Sequence, residues 1–165
     1  MIFVTVGTHE QQFNRLIKCV DELKGSGVVT EDVIIQSGFS TFEPKNSKWI
    51  KFLPYNEMHE YVAEARIVIT HGGPASFIMP IHMGKIPIVV PRSFEFGEHV
   101  NNHQIEFAKA IEERMKNIIP VYDIQNLEKI LVEYDVIVSK IPKESTSNNM
   151  RFIFNFEKIV EGMFS

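Results

Sequence analysis

The sequence is poor in the residues that would tie a protein to disulfide bonds or to nucleic acid. Its single cysteine, Cys19, has no partner for an internal disulfide, and its place in a helical pattern favours packing over a nucleophilic role. The formal net charge is only -4 over 165 residues, which gives no indication of the clustered basic surface that binds a phosphate backbone. We therefore expect no nucleic acid among the partners of this chain.

Long apolar runs are also absent. No segment approaches the roughly 18 consecutive apolar residues of a membrane-spanning helix. Residues 1–7 lack the basic and apolar regions of a signal peptide. We expect a cytoplasmic chain, which would be recruited to the inner face of a membrane through a partner.

The sequence does contain a regular alternation of short apolar runs and amphipathic helical patterns. The predicted strands are residues 2–6, 33–35, 49–53, 66–70, 86–90 and 118–121. Strands separated by helices pair in parallel through right-handed crossovers, so we predict an α/β domain with a Rossmann-like, doubly wound parallel sheet over residues 1–138. Ligands of such sheets bind beyond the carboxyl ends of the strands.

The last part of the chain departs from this alternation. Residues 139–149 are polar and contain Pro142, which is typical of a linker. Residues 150–165 are rich in apolar and aromatic side chains and predict a C-terminal helix. Two interpretations stay open: the helix packs back across the sheet, or its aromatic surface docks on another protein.

Two glycine turns follow predicted strands and precede predicted helices. Gly7 and Thr8 follow the first strand, with Gln11 placed for a capping box, and residues 71–76 follow the fourth, with a helix starting at Ser76. Amide groups and helix dipoles at such turns attract an anion. One such glycine has a purely structural explanation, but two at one sheet edge favour a phosphate site. Neither turn matches the NAD or P-loop pattern.

The histidines do not predict a metal site. His99 and His103 are four apart in a predicted helix, but no H-E-x-x-H motif and no third ligand at a recognisable spacing are present. Residues 95–104 are dense in side chains that donate and accept hydrogen bonds, as sugar hydroxyls require. A solvated helix start explains that density equally well. We expect no metal and no other cofactor.

The most specific pattern lies in residues 52–58 (FLPYNEM), 65–73 (ARIVITHGG) and 84–91 (GKIPIVVP). These segments resemble the C-terminal domain of glycosyltransferase family 28. Stand-alone versions of that domain begin as residues 2–8 do. The His-Gly-Gly turn and residues 98–104 (EHVNNHQ) are most similar to bacterial capsule and exopolysaccharide transferase subunits.

The resemblance implies the C-terminal half of a GT-B glycosyltransferase whose two halves are separate chains. A UDP-sugar (galactose, N-acetylglucosamine or glucuronic acid) would be the donor, and a membrane-associated, acceptor-binding subunit would bring a lipid-linked saccharide in capsule or exopolysaccharide synthesis. The implied donor contacts are the backbone of Phe52 and Leu53 for uracil, Gly7, Thr8, Gly72, Gly73 and Ser76 for the diphosphate, and Asn102, His103 and Gln104 for the sugar.

Several groups are candidates for carrying the reaction. Helix N-termini at Gly7 and Gly72 would stabilise the charge on the leaving UDP, with Arg92 or His71 adding a positive charge or a hydrogen bond. Glu98, His99 and His9 are unranked candidates for the general base, which could also lie on the partner.

The resemblance fails at one position, because many relatives bind ribose with an acidic residue where this chain has Met79. Either the ribose is held differently, for instance by Glu98, or donor binding is weaker than in those relatives. Two other functions fit the sequence less well. An accessory subunit that enhances a transferase leaves the glycine turns unexplained, and a sugar-nucleotide hydrolase or epimerase needs two lobes.

Overall fold

The computed structural model describes residues 1–143 together with Lys158 and Gly162. Apart from those two residues, the predicted helix at 150–165 lies outside the described residues, as does most of the predicted linker at 139–149. Ser139 itself ends a short helix. Within the described part of the chain, no helix is both long enough and apolar enough to cross a membrane.

Six parallel strands form one sheet in the order β3-β2-β1-β4-β5-β6. They are β1 (Ile2–Thr5), β2 (Val33–Gln36), β3 (Lys48–Ile50), β4 (Ile67–His71), β5 (Ile88–Val90) and β6 (Ile119–Pro120). The chain builds outward from β1 to β3 and then returns to the other side of β1 with β4. This confirms the predicted doubly wound sheet and places its switch point between β1 and β4.

Helices cover both faces of the sheet. Successive strand residues point to opposite sides, so the apolar strands present buried side chains to the helices on each face. They are α1 (Asn14–Gly25), α2 (Tyr55–Glu64), α3 (Pro74–His82), α4 (His103–Met115), α5 (Leu127–Val132) and α6 (Tyr134–Ser139). Val4 packs among residues of α1 and α5, whereas its neighbour Phe3 packs against α2. Cys19 is half-buried on α1, and burial raises the pKa of its thiol to about 11, which supports the packing role.

Helix α1 begins later than predicted, at Asn14, and the capping box at Thr8 and Gln11 is wrong. Asn14 Oδ1 instead accepts the backbone N–H groups of Thr41 at 2.9 Å and Phe42 at 3.0 Å. Gly7 therefore begins a loop rather than a helix, and that loop lies at the carboxyl edge of the sheet.

Two other helix starts differ from the sequence prediction. Helix α3 begins at Pro74 rather than Ser76, since proline fits the first helical position. Helix α4 begins at His103, so His99 precedes the helix and the two histidines do not share a helical face.

Candidate functional site

A cavity of about 650 Å³ opens at the carboxyl ends of β1, β2 and β4. This is the switch point of the sheet, where open α/β folds bind their ligands. The ends of these strands, the loop after β1, one face of α2 and the first turns of α3 form its walls. The cavity thus lies at the sheet edge that the two glycine turns indicated.

The predicted site residues divide into two groups around this cavity. Those that line it are Gly7, Thr8, His9, Leu53, His71, Gly73, Ser76 and Gln104. Those that do not line it are Phe52, Gly72, Arg92, Glu98, His99, Asn102 and His103. The second group includes Arg92, which forms hydrogen bonds to the loop after β1.

The sequence analysis missed the polar ends of β1 and β2, which also line the cavity. Thr5 Oγ1 donates to Gln36 Oε1 at 2.6 Å, and Gln36 Nε2 donates to the carbonyls of Gly7 at 3.1 Å and Lys51 at 2.8 Å. Gln36 thereby ties together the loops that follow β1 and β3. A polar residue that closes an apolar strand is visible in the sequence at both positions.

The side-chain amide of Gln104, which was expected to contact the sugar, already forms hydrogen bonds within the protein. Its Oε1 accepts the backbone N–H groups of Gly72 and Arg92, each at 3.0 Å. Since only the oxygen of an amide accepts, its Nε2 is the atom that lies 3.2 Å from His71 Nδ1. Gln104 therefore joins the turns after β4 and β5 and orients His71.

This network fixes the tautomer of His71. Its Nδ1 accepts the Gly73 N–H at 3.1 Å and faces the Gln104 amide, so it carries no proton. In the neutral ring the proton is then on Nε2, which donates to Ser76 Oγ at 2.6 Å. Because Ser76 Oγ accepts from His71, its own hydroxyl hydrogen is available to a ligand in the cavity.

The His71 ring occupies the space that a side chain would need at two glycines. A Cβ atom on Gly7 would lie 2.3 Å from His71 Nε2, and one on Gly73 would lie 2.3 Å from its Cε1. At Gly72 a Cβ atom would lie 2.9 Å from that of Gln104. All three glycines are therefore required by the packing of the site itself.

His71 is held in its neutral form. Its exposed fraction is 7%, and burial, followed by the positive charge of Arg92, lowers the pKa of His71 from 6.5 to about 3. Of the two roles expected for this side chain, the structure favours a hydrogen bond over a positive charge.

The depressed pKa makes stability depend on pH. Between about pH 6.5 and 3 the unfolded chain binds a proton at His71 that the folded chain does not, so stability falls as the pH falls through that window. We expect this residue to remove about 2 kcal/mol of stability at pH 5 relative to pH 7. Urea titrations at both pH values should show a smaller loss for His71→Asn, and equal losses would contradict the assignment.

Arg92 is fully buried and clamps the loop after β1. Its Nη1 donates to the carbonyls of Gln11 at 2.8 Å, Gln12 at 3.2 Å and Glu98 at 3.0 Å, and its Nη2 donates to Val6 at 2.7 Å. Burial lowers the pKa of Arg92 to about 10, so it stays charged at neutral pH. The guanidinium therefore acts through the loop and not by direct contact with a cavity ligand.

Glu98 is also fully buried, and its carboxylate is paired. It accepts Arg15 Nε at 2.8 Å and Nη2 at 3.0 Å, and the backbone N–H of Ser93 at 2.9 Å. This geometry favours a structural role for Glu98 over the general base or ribose ligand expected from the sequence.

The other two candidate bases lie against each other. The rings of His9 and His99 are 4.6 Å apart between centroids and tilted by 33°. Burial, and then the charge of His9, lowers the pKa of His99. His9 lines the cavity and His99 does not, so His9 is the one of the three candidates that can meet a cavity ligand.

The remaining predicted contacts are not part of the cavity lining. Asn102 Oδ1 accepts the Phe94 N–H at 3.0 Å, and His103 is exposed at the start of α4. Phe52 is 45% exposed and packs edge-on against Phe39 with the centroids 5.1 Å apart. Of the two residues expected at uracil, Leu53 is therefore the one on the cavity wall.

The described residues that line the cavity include no carboxylate, ammonium or guanidinium group. No Asp, Glu, Lys or Arg among residues 1–143 is part of the lining. In the same range, no group of three or more His, Cys, Asp or Glu side chains is arranged to hold a metal ion. That the site works without a metal stays a prediction.

Several glycosyltransferases of known structure share this fold. The glycotransferase of kitacinnamycin has a TM-score of 0.62 at 16% identity, over 98% of this chain and 41% of that one. The calicheamicin glycosyltransferase CalG4 has a TM-score of 0.57 at 13% identity, over 98% and 41% of the two chains. VinC, solved with dTDP, has a TM-score of 0.52 at 13% identity, over 97% and 41%.

At these identities the structures establish the fold alone, and this chain spans about two fifths of their length. The predicted GT-B half is confirmed. Among curated proteins there is no significant match. The model of the glycosyltransferase family 28 C-terminal domain matches residues 1–161. The chain therefore belongs to the glycosyltransferase family 28 C-terminal domain family.

Proposed function

We propose that this chain is the donor-binding part of a glycosyltransferase and holds a UDP-sugar in the cavity between β1 and β4. The observation that carries the proposal is the polar end of that cavity, where the N-terminus of α3 meets a serine hydroxyl with an available hydrogen. In a glycosyltransferase domain, such a site suits the diphosphate of a nucleotide-sugar.

The first turn of α3 supplies the anion site. Pro74 stands at the start of the helix and has no N–H, so Ala75 carries the first amide hydrogen at the positive end of the helix dipole. Both residues line the cavity together with Ser76. A phosphate oxygen at this turn would accept the Ala75 N–H and the Ser76 hydroxyl.

The two glycines after β4 serve the diphosphate only indirectly. The N–H of Gly72 is bonded to Gln104, and that of Gly73 is bonded to His71. Their amides are thus engaged before a ligand arrives. We therefore assign the diphosphate to the turn of α3 rather than to these two amides.

A buried excess of positive charge supports the same assignment. Arg15 and Arg92 carry two positive charges behind the loop after β1, and Glu98 carries one negative charge. The field of Arg92 reaches the cavity, since it lowers the pKa of His71. A dianionic diphosphate would be stabilised there without a lysine or arginine in the lining.

The same groups would assist transfer of the sugar. As the bond to the sugar breaks, negative charge grows on the leaving UDP, and the dipole of α3 is placed to stabilise it. His9 is the local candidate for accepting the proton of the acceptor hydroxyl, and a base on the acceptor-binding partner is the alternative.

The acceptor side of the reaction is assigned to a second unit. This chain spans 41% of the length of the glycosyltransferases whose fold it shares, and the family model that it matches is that of a C-terminal domain. We propose a membrane-associated subunit that presents a lipid-linked saccharide for capsular or exopolysaccharide synthesis. The donor sugar would be galactose, N-acetylglucosamine or glucuronic acid.

Calorimetric titration with UDP tests the donor site directly. We expect the wild-type chain to bind, and Ser76→Ala to bind about tenfold more weakly, because it loses a hydrogen bond to a charged ligand. Ser139→Ala serves as the matched control, since Ser139 is exposed at the end of α6. Its affinity should equal that of the wild type.

Each outcome separates the donor site from the accessory function. Loss of affinity in Ser76→Ala but not in Ser139→Ala supports a donor site on this chain. No binding by the wild type at millimolar UDP, either alone or co-purified with a membrane partner, would contradict it and favour an accessory subunit. Turnover by this chain alone, as fast as by the pair, would contradict the division into two subunits.

A further inference from the structure

One wall of the cavity is apolar. It consists of Leu53, Met58 and Val62 on and before α2, and Met79 on α3; we call these four residues the apolar wall. Ser76 and Met79 are three residues apart on α3 and both line the cavity, so the wall begins one helical turn beyond the serine.

The polar groups next to the apolar wall are already engaged. Thr5 Oγ1 donates to Gln36 Oε1, and both amide hydrogens of Gln36 are directed at the carbonyls of Gly7 and Lys51. Together with the absence of Asp and Glu from the lining among residues 1–143, this leaves no carboxylate to accept a hydrogen bond from a ligand hydroxyl.

The ribose of a nucleoside diphosphate is attached directly to its α-phosphate. With the diphosphate on the first turn of α3, the ribose falls within about one helical turn of it, roughly 5 Å further along. That distance brings it to Met79 and the facing residues of α2. Flexible thioethers such as Met58 and Met79 fill space against varied shapes without offering a strong hydrogen bond.

We infer that this site holds the nucleoside sugar by apolar contact and does not read its 2′-hydroxyl, so that ribonucleoside and 2′-deoxyribonucleoside diphosphates both bind. The inference rests on the proposed donor site. In dinucleotide-binding sites of doubly wound sheets, an Asp or Glu side chain bonds this hydroxyl. A site without such a partner discriminates weakly, whereas a site built to bond a hydroxyl rejects the analogue that lacks it.

The test compares UDP with dUDP, which differ only in the 2′-hydroxyl, by calorimetry on the wild-type chain. We expect the two dissociation constants to agree within about threefold. A dUDP affinity more than about thirtyfold weaker would overturn the inference while leaving the donor site intact. Failure of both nucleotides to bind would overturn the proposed function, and the inference with it.

Met79→Glu tests where the ribose lies. The new carboxylate repels both diphosphates alike, so the ratio of the two affinities is the measurement. We expect Met79→Glu to favour UDP over dUDP by about tenfold, the effect of one added hydrogen bond, and Met79→Leu to leave the ratio near one. An unchanged ratio in a folded Met79→Glu would overturn the placement beside Met79. If Met79→Glu does not fold, the ratio of the UDP and dUDP affinities of the wild-type chain still tests the inference.

Discussion

Replacing Glu98 with alanine is expected to lower the free energy of unfolding by about 3–5 kcal/mol. The carboxylate lies fully buried, where it accepts two hydrogen bonds from Arg15 and one from the Ser93 backbone. Without it, the Arg15 guanidinium would lose two hydrogen bonds to a carboxylate, and the buried Arg92 would lose the negative charge that raises its pKa. Loss of one partner from such a cluster costs far more than loss of an exposed ion pair.

Urea unfolding of the purified chain measures this cost, and Glu95→Ala is the matched control. Glu95 is exposed in the short turn at Phe94–Phe96, three residues before Glu98, and its removal should change stability by less than about 0.5 kcal/mol. A Glu98→Ala chain with wild-type stability that had lost turnover would instead restore the general-base role considered from the sequence.

Gly7→Ala is expected to destabilise the fold more than Gly27→Ala, although both glycines have left-handed backbones. Their φ angles are 77° and 84°. A Cβ atom at Gly27 would meet nothing within 4 Å, so that variant reports the backbone strain alone, about 1–2 kcal/mol. At Gly7 the new atom would collide with His71, which adds roughly 1–3 kcal/mol of overpacking.

The difference between the two variants isolates the contact with His71. Urea unfolding gives the stabilities, and ¹⁵N chemical shifts of the imidazole show whether the hydrogen bond from Nε2 to Ser76 survives. We expect this bond to be lost in Gly7→Ala and kept in Gly27→Ala, with UDP affinity lost only in the former. Equal destabilisation by both substitutions would show that the ring does not fill the space at Gly7.

The sheet could be predicted from the sequence because its signals are local. The runs at β1 and β4 are continuously apolar and each ends in a polar residue or a glycine turn, so their direction and their ligand-binding edge follow from the alternation with helices. Helix starts were less predictable. The late start of α1 depends on Asn14 bonding the backbone of Thr41 and Phe42, which lie more than 25 residues away.

The hydrogen bonds inside the site could not be predicted from the sequence either, because they also join residues that are far apart along the chain. Arg92 and Glu98 have the charge of ligand-binding groups, but their partners Val6 and Arg15 are more than 80 residues distant. Gln104 has the donors and acceptors that a sugar contact needs, yet two backbone amides engage its oxygen. The residue types indicated where the site lies, whereas the partner of each side chain could be identified only from the structure.

The clamp formed by Arg92 also governs how a ligand meets the site. Its guanidinium already binds the carbonyls of Val6, Gln11 and Gln12, so the conformational entropy of that loop is lost during folding and not during association. Preorganisation of this kind removes a cost that flexible binding loops bear at each encounter. Capture of the ligand should then be limited by diffusion and orientation at the mouth of the cavity, with no slow ordering step before it.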